Sequence, residues 1–116
     1  MLRKFLLAKI RDVRITGANI RYEGSITVDA SLLEKAGILH NEAVEVLNVS
    51  NGERFTTYAI PGKRGSGVIE LNGPAARLGQ PGDEIMILTY GMLTPEEIRK
   101  HTPVIVHARQ AFHRKK

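Results

Sequence analysis

Tyr22-Glu23-Gly24-Ser25 places a hydroxyl directly after a residue that has no side chain. Gly24 can hold a backbone geometry closed to other residues, and it lets a neighbouring hydroxyl approach its carbonyl carbon. If the turn is strained and the carbonyl oxygen meets a donor, Ser25 Oγ can attack that carbon and turn the peptide into an ester. Beta elimination from the ester cuts the chain, and hydrolysis of the dehydroalanine left behind gives a ketone at the new amino terminus. A Gly-Ser pair equally makes an ordinary turn, so its meaning depends on the rest of the chain.

Other groups offer less. Gly62, Gly65 and Gly67 suggest a phosphate loop, but such a loop opens a helix with a lysine and a hydroxyl next in line, and these glycines lead into a strand. His40, His101, His107 and His113 lie outside the usual ligand spacings, so no metal is expected. A serine-histidine-acid triad can be drawn from Ser25, but nothing in the spacing selects its histidine. Phe5, Tyr22, Phe55, Tyr58 and Tyr90 could stack on bases from one sheet face, or fill a core.

The elements that position these groups are short strands. Phe5 to Ile15 alternates, and Ile26 to Val28 resumes the alternation after the Gly-Ser turn. Ser31 and Glu34 have capping-box spacing ahead of Leu32, Leu33 and Ala36, and Gly37 is placed to end that helix in a left-handed conformation. Val44–Val49 and Arg54–Ile60 flank Asn51-Gly52, which predicts a hairpin with positive φ at both central positions. Pro61–Gly67 reads as a loop, Val68–Leu71 as a strand, Ala75–Leu78 as one helical turn, and Glu84–Tyr90 as an apolar strand. Thr94-Pro95-Glu96-Glu97 starts a short helix, and Pro103–Val106 gives a last strand. Many strands with two small helices predict a compact β barrel rather than a parallel α/β layer.

At 116 residues the chain has room for one domain. It has no cysteine, hence no disulfide framework and no thiolate chemistry. The apolar run after Met1 is interrupted by Lys9 and Arg11, too early for a signal core or a membrane span, so a soluble cytoplasmic protein is expected. The net charge of +5 raises the question of an acidic partner, but much of the excess sits at Arg109 and Arg114-Lys115-Lys116. Residues 107–116 are read as a basic flexible tail.

Lys9-Ile10, Tyr22-Glu23-Gly24-Ser25, Ala36–Leu39, Asn51–Ile60, Arg64-Gly65-Ser66, Asn72-Gly73 with Ala75-Ala76, and Pro81-Gly82-Asp83 together closely resemble the pyruvoyl-dependent aspartate decarboxylases. These are small enzymes that make β-alanine for pantothenate. The match runs from about Leu6 to Val106, with its motifs in the same order and at the same positions.

The resemblance implies a mainly β chain folded as a double-psi β-barrel with short helices. It implies a homotetramer with sites at subunit interfaces, cut by itself between Gly24 and Ser25 into residues 1–24 and 25–116. Ser25 maps onto the serine that becomes the pyruvoyl group, which forms an imine with the amino group of L-aspartate and draws electrons as the α-carboxylate leaves. That chemistry uses neither a metal nor pyridoxal phosphate. Tyr58 maps onto the proton donor and Arg54 onto the arginine for the substrate carboxylate, which a guanidinium grips through paired hydrogen bonds. Thr57 and Asn72 match positions tied to self-processing and substrate contact, Gly73, Pro74 and Ala75 fall on the backbone lining the substrate site, and Lys9 lies nearby.

Alternation puts Arg54, Thr56 and Tyr58 on one face and Phe55, Thr57 and Ala59 on the other. Thr57 and Tyr58 therefore share a site only through a bulge, a strand end or a second subunit. Three positions depart from the family pattern: Arg11-Asp12 stands where His-Arg is common, and Pro74 stands where alanine is usual, removing a backbone donor. The alternative function is a basic β-barrel that binds nucleic acid, in which Gly24-Ser25 is only a turn. The reading adopted expects neither nucleic acid nor membrane as partner.

Overall fold

Short strands, with burial alternating most clearly over Ala43–Asn48 and Arg54–Ala59, build one mixed sheet around an aliphatic core, as described for residues 1–109 in a computed structural model. The strands are β1 (Arg3–Arg14), β2 (Gly17–Asn19), β3 (Ser25–Asp29), β4 (Ala43–Asn48), β5 (Arg54–Gly62), β6 (Ile69–Asn72), β7 (Glu84–Leu93) and β8 (Val104–His107). Two helices, α1 (Ala30–Ala36) and α2 (Pro95–Lys100), and a 3-10 turn over Gly73–Arg77 complete the described chain. The sheet order is β2-β6-β3-β5-β4-β7-β1-β8, with parallel pairs β1/β8, β2/β6 and β3/β5 among antiparallel ones. The mainly β reading holds.

Ile15 and Thr16, between β1 and β2, draw separate parts of this order together. Ile15 N–H donates to the Asp83 carbonyl (2.9 Å) and Thr16 N–H to the Ile69 carbonyl (2.7 Å). Thr16 Oγ1 in turn accepts from Ile69 N–H (2.9 Å). Inside lie Ile10, Ile15, Ile26, Val28, Leu32, Val44, Val46, Ile69, Leu71, Ile85 and Ile87. No helix among the described residues is long and apolar enough to cross a membrane.

Several local readings change. The helix α1 is capped by Asp29 rather than Ser31: Asp29 Oδ1 accepts from Ser31 N–H (2.8 Å) and from its hydroxyl (2.7 Å), so Ser31 is spent as a donor. The same buried carboxylate accepts from Gly65 N–H (3.0 Å) and Gly67 N–H (2.8 Å), pinning the loop that follows β5. Gly37 ends α1 at φ +73°, in the left-handed region as predicted.

The β4/β5 connection is wider than a two-residue turn. Asn48 Oδ1 accepts from Ser50 and Asn51 N–H, rounding the loop, and only Gly52 of the Asn-Gly pair has positive φ. Pro61 and Gly62 belong to β5, paired with Val28 and Asp29 of β3. Pro61 tolerates this because β4 pairing stops at Tyr58, leaving no partner for the amide proline lacks. Thr94 and Glu97 form the reciprocal capping box at α2.

Two residues of the stretch 107–116, read from the sequence as a tail, are placed in the fold. His107 lies in β8 opposite Arg11, and Ala108 is buried. His113 and Arg114-Lys115-Lys116 lie outside the described residues.

Candidate active site

Ser25 opens β3, flanked by β5 and β6, and pairs with Asn72, the last residue of β6. Both side chains are buried, at 0% and 1% exposure, deep enough that every polar atom needs a partner. Asn72 Nδ2 donates to Ser25 Oγ (2.8 Å) and to Thr27 Oγ1 (3.0 Å). Thr27 reaches the same amide because residues two apart on a strand share a face. Asn72 Oδ1 is buried without a partner, leaving one unspent acceptor beside the serine.

Gly24 is held from outside. It is absent from the positive-φ glycines, whereas Gly73 takes φ +64°. A Cβ on Gly73 would lie 2.6 Å from the Tyr22 carbonyl oxygen and 2.8 Å from Gly24 N, so the Tyr22–Gly24 backbone presses where only glycine fits. Pro74 Cδ stands 3.5 Å from where a Gly24 Cβ would be. Gly24 is thus wedged against the Gly73-Pro74 step.

Beside this wedge lies a cleft of about 370 Å³, bounded by Gly24, Pro74 and Ala75 on one side and by Thr56, Thr57 and Tyr58 on the other. Phe55 and Leu78 add apolar surface. The predicted alternation is present: Arg54, Thr56 and Tyr58 are exposed, Phe55 and Thr57 half-buried, Ala59 buried. Thr57 and Tyr58 still share the cleft, because β5 pairs with β4 over Arg54–Tyr58 and with β3 only from Ala59 onward. One edge of the Arg54–Tyr58 segment therefore borders the opening.

Backbone direction follows from the neighbouring bonds. Ala59 N–H donates to the Glu42 carbonyl (3.0 Å) and its carbonyl accepts from Asn41 N–H (2.8 Å), both on the β4 side. Alternation then turns the Thr56 backbone groups and the Tyr58 N–H toward the cleft. Extending the β3/β5 register from the Ile26–Ala59 pair sets Ser25 alongside Tyr58 and Gly24 alongside Thr57.

Arg54 and Lys9 are not brought to this cleft by their own chain. Arg54 pairs with Glu45 on β4, Nε to Oε2 at 3.3 Å and Nη2 to Oε1 at 3.4 Å. Tyr90 Oη donates to the same Glu45 Oε1 (3.3 Å), and Lys4 Nζ lies 5.1 Å from the centre of the Tyr90 ring. Burial, then the charge and hydrogen bond of Glu45, push the Tyr90 hydroxyl pKa up against the opposing Arg54. A second opening of about 420 Å³ borders Lys4, Glu45, Leu88 and Tyr90 and shares Thr56 with the first. Lys9 lies half-buried on β1 between Leu88 and Ile105, with β5, β4 and β7 separating β1 from β3.

Two of the histidines are engaged elsewhere. His101 Nε2 contacts the Leu6 carbonyl (2.7 Å) and His107 Nδ1 contacts Asp12 Oδ2 (3.4 Å). Asp12, in the departure from the family pattern, sits at φ +65° where the β1/β7 register shifts. Among the described residues no group of three or more His, Asp or Glu side chains could hold a metal ion.

Sequence reasoning missed Thr27 and Glu45, and it named Thr56 and Tyr90 without giving them a role at this site. The two-residue period from Ser25 could have flagged Thr27, and the β4/β5 hairpin could have flagged Glu45 as a neighbour of Arg54. Nothing local ties Tyr90 to Glu45, which it reaches from a strand distant in sequence.

Residues 1–113 match the sequence profile of the family described as aspartate decarboxylase. A protein named aspartate 1-decarboxylase from Trichormus variabilis is 57% identical over 106 residues, covering 91% of this chain and 84% of its own. Proteins of the same name from Caldicellulosiruptor saccharolyticus and Bacillus pumilus are 56% and 53% identical over the same share of this chain, covering 83% and 84% of their own lengths.

Proposed function

This chain belongs to the aspartate decarboxylase family, and on that premise we propose that it decarboxylates L-aspartate to β-alanine and carbon dioxide, supplying pantothenate synthesis in the cytoplasm. The observation that carries the reading is the placement of Ser25: buried on Asn72, with Gly24 wedged by Gly73 and Pro74 at the mouth of the Thr57–Tyr58 cleft.

The Gly24–Ser25 bond is the one the chain breaks in itself. Ser25 Oγ adds to the Gly24 carbonyl carbon and the C–N bond opens, leaving an ester and a free amine. Elimination breaks the serine Cβ–Oγ bond, releasing the 1–24 fragment as a carboxylate. Water then replaces the nitrogen of the resulting dehydroalanine, releasing ammonia and leaving a pyruvoyl group on residues 25–116. Asn72 holds the nucleophilic oxygen in register, and Thr57, alongside Gly24, is the residue suited to support charge on the attacked carbonyl. The orphaned Asn72 oxygen and the side-chain-free wedge at Gly24 fit a site that rearranges in this way.

Once formed, the pyruvoyl carbonyl supplies the electron sink for loss of carbon dioxide. The chain's own residues do the rest. Tyr58, alongside the transformed position and partly exposed, delivers the proton that replaces the departed carboxylate. The Gly73–Ala75 backbone lines the substrate side; with Pro74 lacking an N–H, the Ala75 amide is the nearer remaining donor. Arg54 grips the side-chain carboxylate with Lys9 adding positive charge, and a neighbouring copy in a homotetramer supplies them. The support is that neither cation lines the cleft of its own chain.

Product analysis with aspartate and with glutamate tests the activity; β-alanine from aspartate alone is expected. Co-expressing a Ser25→Ala chain with an Arg54→Ala chain tests the shared site. Activity in the mixture above the sum of the two variants assayed alone is the expected result, and a mixture no more active than its parts would contradict it.

A further inference from the structure

The ion pair beside Arg54 calls for a reason other than stability. Both of its side chains reach solvent, at 61% exposure for Arg54 and 26% for Glu45, and exposed pairs contribute little to folding. Its geometry is nevertheless specific. Glu45 faces Thr56 and Arg54 faces Leu47, so acid and base meet along the diagonal of the β4/β5 ladder, within reach of long side chains. Both carboxylate oxygens engage one edge of the guanidinium, Oε2 at Nε (3.3 Å) and Oε1 at Nη2 (3.4 Å). That leaves Nη1 and the outer hydrogen of Nη2 as a second, end-on fork, the shape that receives another carboxylate with two parallel hydrogen bonds.

Glu45 is itself held. Tyr90 Oη reaches its Oε1 from β7 (3.3 Å), and Lys4 on β1 covers the Tyr90 ring at 5.1 Å. A chain of contacts therefore runs from β1 through β7 and β4 to the guanidinium on β5. A free arginine at a strand end samples many rotamers, and binding a carboxylate would have to order it.

We propose that Glu45 is a positioning residue for aspartate binding: it clamps Arg54 by the side-on donors so that the end-on donors are presented to the substrate's side-chain carboxylate, with Tyr90 steadying Glu45. This inference rests on the reading of Arg54 as the carboxylate-binding group.

The test uses the full-length, self-processed protein and the variants Glu45→Gln, Tyr90→Phe and Arg54→Ala, with KM and kcat for aspartate measured separately and cleavage followed by intact mass. Glu45→Gln raises KM about threefold to fivefold, the scale of an exposed charge pair, with kcat changed less and cleavage complete. Tyr90→Phe shifts KM the same way by less, and Arg54→Ala shifts it most. If Arg54→Ala raises KM while Glu45→Gln leaves it unchanged or lowers it, Glu45 is a bystander or a competitor and the inference is overturned. If Arg54→Ala leaves KM unchanged, the reading of Arg54 fails and the inference goes with it.

Discussion

Asn72 Nδ2 lies 2.8 Å from Ser25 Oγ, and the two residues face each other as the end pair of the β3/β6 ladder, both shut off from solvent. The sheet thus fixes the serine by backbone register and by side chain at once. The Gly24 residue on the other side of the bond packs against Gly73 and Pro74.

Replacing Asn72 with alanine strips the donor from two hydroxyls, those of Ser25 and Thr27. Leaving buried oxygens unpaired costs about 1–3 kcal/mol, which denaturant unfolding would register. Self-cleavage, followed by mass over time, is expected to slow roughly tenfold or more, since each 1.4 kcal/mol is a factor of ten. Cleavage at the parental rate would show that Asn72 does not hold the nucleophile.

Pro74 is the second residue of the 3-10 turn, still within the first turn, where an amide would have no partner within the turn and would be free for a ligand. Pro74→Ala restores that donor. We expect KM for aspartate to fall by a factor of about two to five, the worth of one neutral hydrogen bond, with stability lower by about 0.4–1 kcal/mol as the unfolded chain gains freedom. Steady-state kinetics and thermal unfolding check the two halves independently.

Asp29 governs acid stability. Burial opposes its ionisation, but hydrogen bonds from Gly67 N–H, the Ser31 hydroxyl, Gly65 N–H and Ser31 N–H outweigh this and hold its pKa below the ordinary 3.8. A depressed carboxylate pKa means the folded state binds the proton less readily than the unfolded one. The stabilisation is therefore complete above 3.8 and is lost as pH falls through the lower folded value. Asp29→Asn is expected to be less stable than the parent at neutral pH and to show a flatter decline in acid, as measured by denaturant midpoints across pH 2 to 7.

Much of the frame was legible because it is local. The alternation over Arg54–Ala59, the capping box of Thr94 and Glu97, and the left-handed Gly37 each depend on residues a few places apart. What escaped is set by distant approaches. Asp29 outcompetes Ser31 as the cap, and its remaining acceptor capacity is taken up by the Gly65–Gly67 loop, which sequence spacing does not bring near. Position 73 admits only glycine because the Tyr22–Gly24 backbone, in the loop before β3, packs where a side chain would stand.

The candidate site divides along the same line. Ser25, Thr57, Tyr58 and Asn72 are gathered by the pairing of β3, β5 and β6, while Arg54 turns to Glu45 and Lys9 stays on β1. The open edge of β5 that lets Thr57 and Tyr58 border one cleft follows from where β3 begins, a fact of register that alternation along one strand does not contain.

Intact-protein mass spectrometry of the purified, aged chain tests the central claim most directly. The account predicts two species, one ending at Gly24 and one beginning with a pyruvoyl group at position 25, and a single uncut polypeptide for Ser25→Ala. A parental chain that stays in one piece would contradict it.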